Sequence, residues 1–197
     1  MSQLLQEDIE LFRPIFIENL KRFKDEQIIK ILCGVRRCGK STILKSYKNE
    51  LLSLGVKEQN IIERLYTSVE FDSDFDYRKM YHELIVLIEN AEKNQKIYLL
   101  LDEVQEVENW EKCINSLFEN QNVDIYVTGS NSKLLSSEIS TYLTGRFVQI
   151  PIFTLSFAEF IDFKNHYFPK NSDNFLDYYF DLYLKTGGFP FLAKTNH

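Results

Sequence analysis

An α/β fold built on a parallel sheet is what this sequence predicts, and three observations predict it. Apolar runs of strand length alternate with segments whose apolar residues recur at helical spacing. One run, Ile97-Tyr98-Leu99-Leu100-Leu101, is apolar throughout, the pattern of a strand covered on both faces. The stretch Gly34-Val35-Arg36-Arg37-Cys38-Gly39-Lys40-Ser41-Thr42 fits G-x-x-x-x-G-K-[ST], the phosphate-binding P-loop pattern, and lies between a strand pattern and a helix pattern.

That loop organises the chain. Gly34 and Gly39 allow a tight turn and a close approach of backbone to a ligand. The amides of the intervening residues, Arg36, Arg37 and Cys38 among them, point into an anion-binding concavity. The helix that follows, opened by Thr42, adds unpaired N–H groups and a positive dipole end. Lys40 reaches the β- and γ-phosphates, and the Ser41 hydroxyl suits Mg²⁺, a hard cation that prefers oxygen. The side chains of Arg36 and Arg37 read as solvent-facing loop charges.

Taken in order, residues 9–25 carry Ile9, Phe12, Ile15, Phe16, Leu20 and Phe23 at roughly helical spacing, with Pro14 breaking the helix or standing near its start. Residues 28–33 form the first strand. The P-loop helix then runs to about Leu54, and Gly55 ends it. Residues 61–71 read as a second strand and 77–91 as a helix with Met80, Leu84, Leu87 and Ile88 on its core face. Residues 96–103 form the third strand, which ends in two carboxylates, Asp102 and Glu103. After a P-loop, an Asp here holds Mg²⁺ through water, and the following Glu polarises the attacking water.

A helix follows on Trp110, Ile114, Leu117 and Phe118. Residues 123–128 are the fourth strand, and it leads into Gly129-Ser130-Asn131 at the edge where open α/β sheets bind ligands. Residues 134–143 read as a helix and 147–152 as a fifth strand, placed at an edge by Pro151. Beyond it the pattern becomes helical and aromatic, at 157–163 and 175–184. A sharp turn, Gly187-Gly188-Phe189-Pro190, comes last, with a helix from Phe191. A helix seven residues long is an odd place for a natural protein to stop, so the sequence reads as part of a longer product. The expected division is a P-loop core, 1–153, and a small partial helical lid, 154–197.

The 197 residues carry 29 acidic and 23 basic side chains, a formal net charge of −6, which gives no support for a broadly basic nucleic-acid surface. No apolar run approaches the length of a membrane span. The first residues lack the charged-then-apolar layout of a signal peptide, and three cysteines without metal-ligand spacing read as free thiols in a reducing cytoplasm.

The ordered set of Gly34 to Thr42, Leu99-Leu100-Leu101-Asp102-Glu103-Val104-Gln105, Val127-Thr128-Gly129-Ser130-Asn131, Leu143-Thr144-Gly145-Arg146-Phe147 and Gly187-Gly188-Phe189-Pro190 resembles the AAA-type ATPase domain of a large prokaryotic family. Members of that family resemble both AAA+ proteins and signal-transducing STAND ATPases. The resemblance covers nearly the whole chain. It implies a P-loop NTPase fold, with a five-stranded parallel sheet flanked by helices and the P-loop strand between the fifth and fourth strands. It implies Asp102 on Mg²⁺, Glu103 as catalytic base, and Ser130 and Asn131 as the polar sensor of water or γ-phosphate. Arg146 matches an arginine finger that reaches a neighbouring subunit's nucleotide, hence a homo-oligomer. Pro190 matches a lid proline that lies against the nucleotide. No arginine in 189–193 matches a second sensor. Family members continue into a C-terminal domain resembling a nuclease fold, which would meet a protein or nucleic-acid target.

The function expected is Mg²⁺-dependent ATP binding and hydrolysis to ADP and phosphate, slow in the isolated chain, serving a regulatory or remodelling role. The alternative is a nucleotide-gated switch with negligible turnover. A small-molecule kinase fits poorly with the aromatic segment 154–197, and a DNA motor with the acidic balance. Adenine over guanine rests on the resemblance alone. Cys38, set among loop amides, Arg36, Arg37 and Lys40, is expected to be a reactive thiolate that ATP protects. Cys33 is expected to be shielded in its strand and Cys113 partly covered on its helix.

Overall fold

Strands that are apolar on both faces need cover on both faces, and the chain supplies it with helices between strands. In a computed structural model of the protein, which describes residues 13–67, 74–92, 94–130, 142–168 and 175–195, the elements alternate as expected. They are α1 (Pro14–Arg22), β1 (Ile29–Gly34), α2 (Lys40–Ser53), β2 (Ile61–Leu65), α3 (Tyr77–Asn90), β3 (Ile97–Asp102), α4 (Trp110–Asn120), β4 (Val123–Ser130), β5 (Phe147–Pro151), α5 (Phe157–Tyr167), α6 (Phe175–Thr186) and the short α7 (Pro190–Ala193).

All five strands are parallel, in the order β2-β3-β4-β1-β5. The P-loop strand β1 therefore lies between β4 and β5. Every residue of β3 and β1 is buried, and all of β4 but its last, whereas the outer strands β2 and β5 are partly exposed. Pro151 sits on the outer strand β5, where a missing N–H breaks no ladder.

The two-residue period of the strands divides the core. Ile29, Ile31 and Cys33 join Leu99, Leu101, Ile125 and Val127 on the face covered by α3 and α4. Leu32, Tyr98, Leu100 and Tyr126 join α1 and α2 through Ile17, Leu20, Leu44 and Tyr47 on the other. A third cluster holds Leu155, Phe160, Phe163, Tyr179 and Ala193. It is tied to the last turn by Gly188: a Cβ there would come 2.2 Å from the Leu155 carbonyl oxygen, and Leu155 N–H donates to the Gly188 carbonyl at 2.6 Å.

Local rules set the ends of elements. Pro14 occupies the first turn of α1, where its missing N–H is harmless, so the described helix starts there and is shorter than the 9–25 pattern; residues 1–12 lie outside the described set. Asp76 caps α3, accepting from the amides of Arg78 and Lys79 at 2.9 and 3.1 Å. Gly55, at φ +86°, follows the end of α2. Described β2 ends at Leu65, which pairs with Asp102, the last residue of β3; Tyr66 and Thr67 are not strand, and residues 68–71 of the expected strand lie outside the described set. β4 runs two residues past expectation, through Gly129 and Ser130, since β1 continues alongside to Gly34. Of the helix expected at 134–143, only its last two residues are described.

A buried polar network crosses the sheet far from the P-loop. Lys30 and Asp124, both fully buried, form an ion pair, and Lys30 Nζ also donates to the Glu26 carbonyl at 3.0 Å. Asp124 accepts in addition from the Asp25 amide at 2.9 Å and the Tyr126 hydroxyl at 3.0 Å, and the Tyr47 and Tyr126 hydroxyls meet at 2.8 Å.

Candidate functional site

Where the central strands end, the loop begins. Gly34 closes β1 in a space that admits no side chain: a Cβ would lie 2.3 Å from the Ile152 carbonyl oxygen and 2.8 Å from Cys38 Sγ. The turn then takes two left-handed residues, Arg37 at φ +69° and Gly39 at φ +105°. Alternating hands of this kind point successive amides into one concavity. Lys40 opens α2 and is buried. Its ammonium donates to the carbonyls of Gly34 and Val35, at 3.1 and 3.2 Å, so it is held over the loop. Ser41 and the side chains of Arg36 and Arg37 are exposed, and Thr42 is half-buried.

Strand register brings the second half of the site to the same edge. Ser130 pairs with Gly34, and Thr128 with Leu32. One strand further, Asp102 ends β3 beside Thr128, buried at 7% exposure. Thr128 donates its hydroxyl to Asp102 Oδ1 and accepts the Glu103 amide at 3.1 Å. Glu103 itself turns left-handed at φ +56°, an uncommon conformation for a residue with a Cβ and one that clusters at functional sites. Its carboxylate accepts from the Gln105 side-chain amide. A buried carboxylate and an exposed hydroxyl, with one Asp102 oxygen directed by Thr128, are the oxygen donors Mg²⁺ takes together with water.

Pro190 is also brought in. Its ring faces the loop, 3.9 Å from where a Gly39 Cβ would stand. Arg146 is not: it precedes Phe147, which pairs with Ile29, the first residue of β1, and so lies at the opposite edge of the sheet from the loop. There, 38% exposed, its guanidinium meets Glu119 and Asn115 of α4. Asn131 lies outside the described residues.

The expectation of a reactive Cys38 is overturned. Its side chain turns inward, fully buried, into the cluster of Phe16, Ile17, Ile43 and Ile152 beneath the loop. Burial pushes the thiol above its ordinary value, outweighing the opposing pull of Lys40 and Arg13. Only the Cys38 backbone is available to a ligand. Cys33 is shielded as expected, and Cys113 is buried outright rather than partly covered.

Three residues of the site escape sequence reasoning: Thr128, Gln105 and Arg13. Thr128 stands in the Val127-Thr128-Gly129-Ser130 run and could be found only through the register that sets it beside Asp102. Arg13 sits just before α1, 5% exposed, with no motif around it. It pairs with Glu159 (Nε to Oε1 at 2.8 Å) and donates to the Cys38 carbonyl within the loop at 3.3 Å. Beside it opens a cavity of about 680 Å³ walled by Phe16, Phe153, Phe163 and Tyr183.

Comparison with known proteins shows the family and agrees with the fold. A family model described as an AAA domain matches residues 26–161. An uncharacterized protein of Haemophilus influenzae is 38% identical over 187 residues, which are 93% of this chain and 45% of that protein. One of Methanocaldococcus jannaschii is 31% identical over 212 residues, 96% of this chain and 44% of the relative. The chain thus spans less than half the length of these relatives. Among solved structures, a DNA polymerase III gamma subunit-related protein of Thermotoga maritima superposes with a TM-score of 0.59 at 13% identity, over 90% of this chain and 57% of that one. AMPPCP-bound DnaA of Aquifex aeolicus gives 0.56 at 17%, over 90% and 56%, and C. elegans PCH-2 gives 0.58 at 16%, over 91% and 59%. At these identities the solved structures speak for the fold.

Proposed function

The chain belongs to the AAA domain family, and from that premise we propose that it binds Mg²⁺–ATP in its phosphate loop and hydrolyses it to ADP and phosphate. The observation that carries this reading is the register of β1, β4 and β3, which gathers Gly34, Ser130, Thr128 and Asp102 at one edge.

The loop amides and Lys40 spread the phosphate charge, which matters because phosphoryl transfer to water relies on positioning and charge neutralisation. Ser41 and Asp102 would hold Mg²⁺, which would supply positive charge to neutralise the phosphates. Thr128 fixes the Asp102 carboxylate. Glu103 orients water and takes its proton, and Ser130, with Asn131, contacts the γ-phosphate or that water. Pro190 lies against the nucleotide from the lid, residues 154–197, and the cavity beside Arg13 has room and apolar walls for a base. Arg146, at the far edge of the sheet, serves a neighbouring subunit's nucleotide in a homo-oligomer. Recognition of a protein or nucleic-acid target belongs to the rest of the full-length protein, since the relatives are more than twice as long as this chain. Among the described residues no helix is long and apolar enough to cross a membrane.

One observation favours a second reading, a nucleotide-gated switch with negligible turnover: the Glu103 carboxylate is held by Gln105. Phosphate release separates the two. Hydrolysis predicts that Glu103→Gln lowers turnover about 10²-fold or more while nucleotide still binds. Equal, near-background rates in both proteins would leave the switch.

A further inference from the structure

Arg13 makes more polar contacts than any role in helix α1 requires. Its buried guanidinium reaches four residues in three separate stretches of chain. Nε and Nη2 form a fork on Glu159 (2.8 Å to Oε1, 3.2 Å to Oε2), Nη1 donates to the carbonyls of Cys38 (3.3 Å) and Phe153 (3.0 Å), and Nη2 also donates to the Thr154 carbonyl (3.3 Å). The Phe16 ring covers it, with Cζ 4.4 Å from the centroid. A charge that leaves water must be fully bonded, and this one is.

Each end of this bridge is a control point. Glu159 closes the capping box of α5, accepting from the Ser156 amide at 2.8 Å and hydroxyl at 3.0 Å, so its position fixes where the lid helix begins. At the other end, Cys38 and Gly39 share one planar peptide unit, whose C=O and N–H point opposite ways. Arg13 binds the Cys38 carbonyl, so the Gly39 N–H of the same peptide points away from Arg13. Two side chains approach Gly39, one from α1's start and one from the lid: a Cβ on it would stand 4.0 Å from Arg13 Nη1 and 3.9 Å from Pro190 Cγ.

We propose that Arg13 is a positioning residue that couples the phosphate loop to the lid. It touches no phosphate. It holds the Cys38–Gly39 peptide with its N–H pointing away from Arg13 and the start of α5 in place, so that filling the loop and ordering the lid favour each other. This rests on the nucleotide-binding reading above. The planar fork is essential, because it grips both Glu159 oxygens while Nη1 remains free for the loop; a lysine ammonium is a single point that cannot span both.

The test uses the whole chain with Arg13→Lys, Glu159→Gln and the double variant. Each is followed by titration with a fluorescent ADP analogue plus Mg²⁺, and by hydrogen–deuterium exchange of residues 157–167 with and without that nucleotide. In the original protein nucleotide slows exchange in 157–167. In Arg13→Lys affinity falls about tenfold and nucleotide no longer slows lid exchange. Glu159→Gln behaves likewise, and the double variant is no worse than either single one, as members of one linkage should be. If Arg13→Lys lowers thermal stability but bound nucleotide still protects 157–167 as before, Arg13 is a structural brace only and the proposal is wrong. If the original protein binds no nucleotide, the functional reading falls and this proposal falls with it; binding without coupling overturns the proposal alone.

Discussion

The Thr128 hydroxyl donates to the Asp102 carboxylate and accepts the amide of Glu103, so one side chain on β4 fixes two consecutive residues at the end of β3. Thr128→Val keeps the shape and removes both bonds. The expected result is a stability loss of about 1–3 kcal/mol, from the Glu103 amide left without its acceptor. Turnover should fall roughly 10–100-fold with little change in nucleotide KM, because in the proposed mechanism the groups displaced act on the reacting atoms. Thr128→Ser should recover most of the rate. Unchanged turnover in the valine variant would show that the bond does not serve the chemistry.

Cys38 should be silent in the folded protein. Its thiol is buried and held above its ordinary value, and Cys33 and Cys113 are shifted the same way, Cys113 up to about 12. A maleimide at pH 7.5 should therefore label none of the three quickly in the native state and all three in denaturant. ATP should make no difference to Cys38 beyond any slowing of global opening. Rapid native labelling of Cys38, read by peptide mass mapping, would mean that the loop presents its sulfur after all.

Lys30 and Asp124 pair with no solvent contact, and burial pushes the Lys30 ammonium below its ordinary value although Asp124 opposes the shift. Removing one member leaves the other as a buried charge. Asp124→Asn should destabilise by about 3–5 kcal/mol in urea unfolding, and Lys30→Met with Asp124→Leu together by clearly less. Equal losses in the single and double variants would show that packing, not charge, dominates at this point.

Arg146 cannot serve its own subunit's loop from the opposite edge of the sheet, so its predicted effect is intermolecular. Phosphate release per chain should rise with protein concentration. Mixing Arg146→Ala chains with Glu103→Gln chains should restore part of the activity, since each supplies what the other lacks. Activity flat with concentration and no rescue would assign Arg146 to its contacts with Glu119 and Asn115.

The strands and the loop are legible in the sequence because they are written in short periods. Ile97 to Leu101 is apolar without a break, and Gly34 and Gly39 mark positions where geometry leaves no alternative. Ends were less legible: β2 stops where its partner stops, which no local pattern records. The chemistry proposed for Asp102, Glu103, Lys40 and Ser41 is read from motif spacing. The supports do not. Thr128 acts through register, and Arg13 meets Glu159 across 146 residues of sequence. Cys38 was misread because its electropositive neighbours are visible in the sequence, whereas the inward turn of its side chain against Gly34 is not.

Mg²⁺–ATP titrated calorimetrically into the protein and into Lys40→Ala tests the central claim most directly. The account predicts saturable binding at one site per chain, weakened roughly 10–150-fold or abolished in the variant, because the loop loses the buried cation proposed to make charge-assisted bonds to phosphate. Equal affinity in the two proteins, or no binding to either, would contradict it.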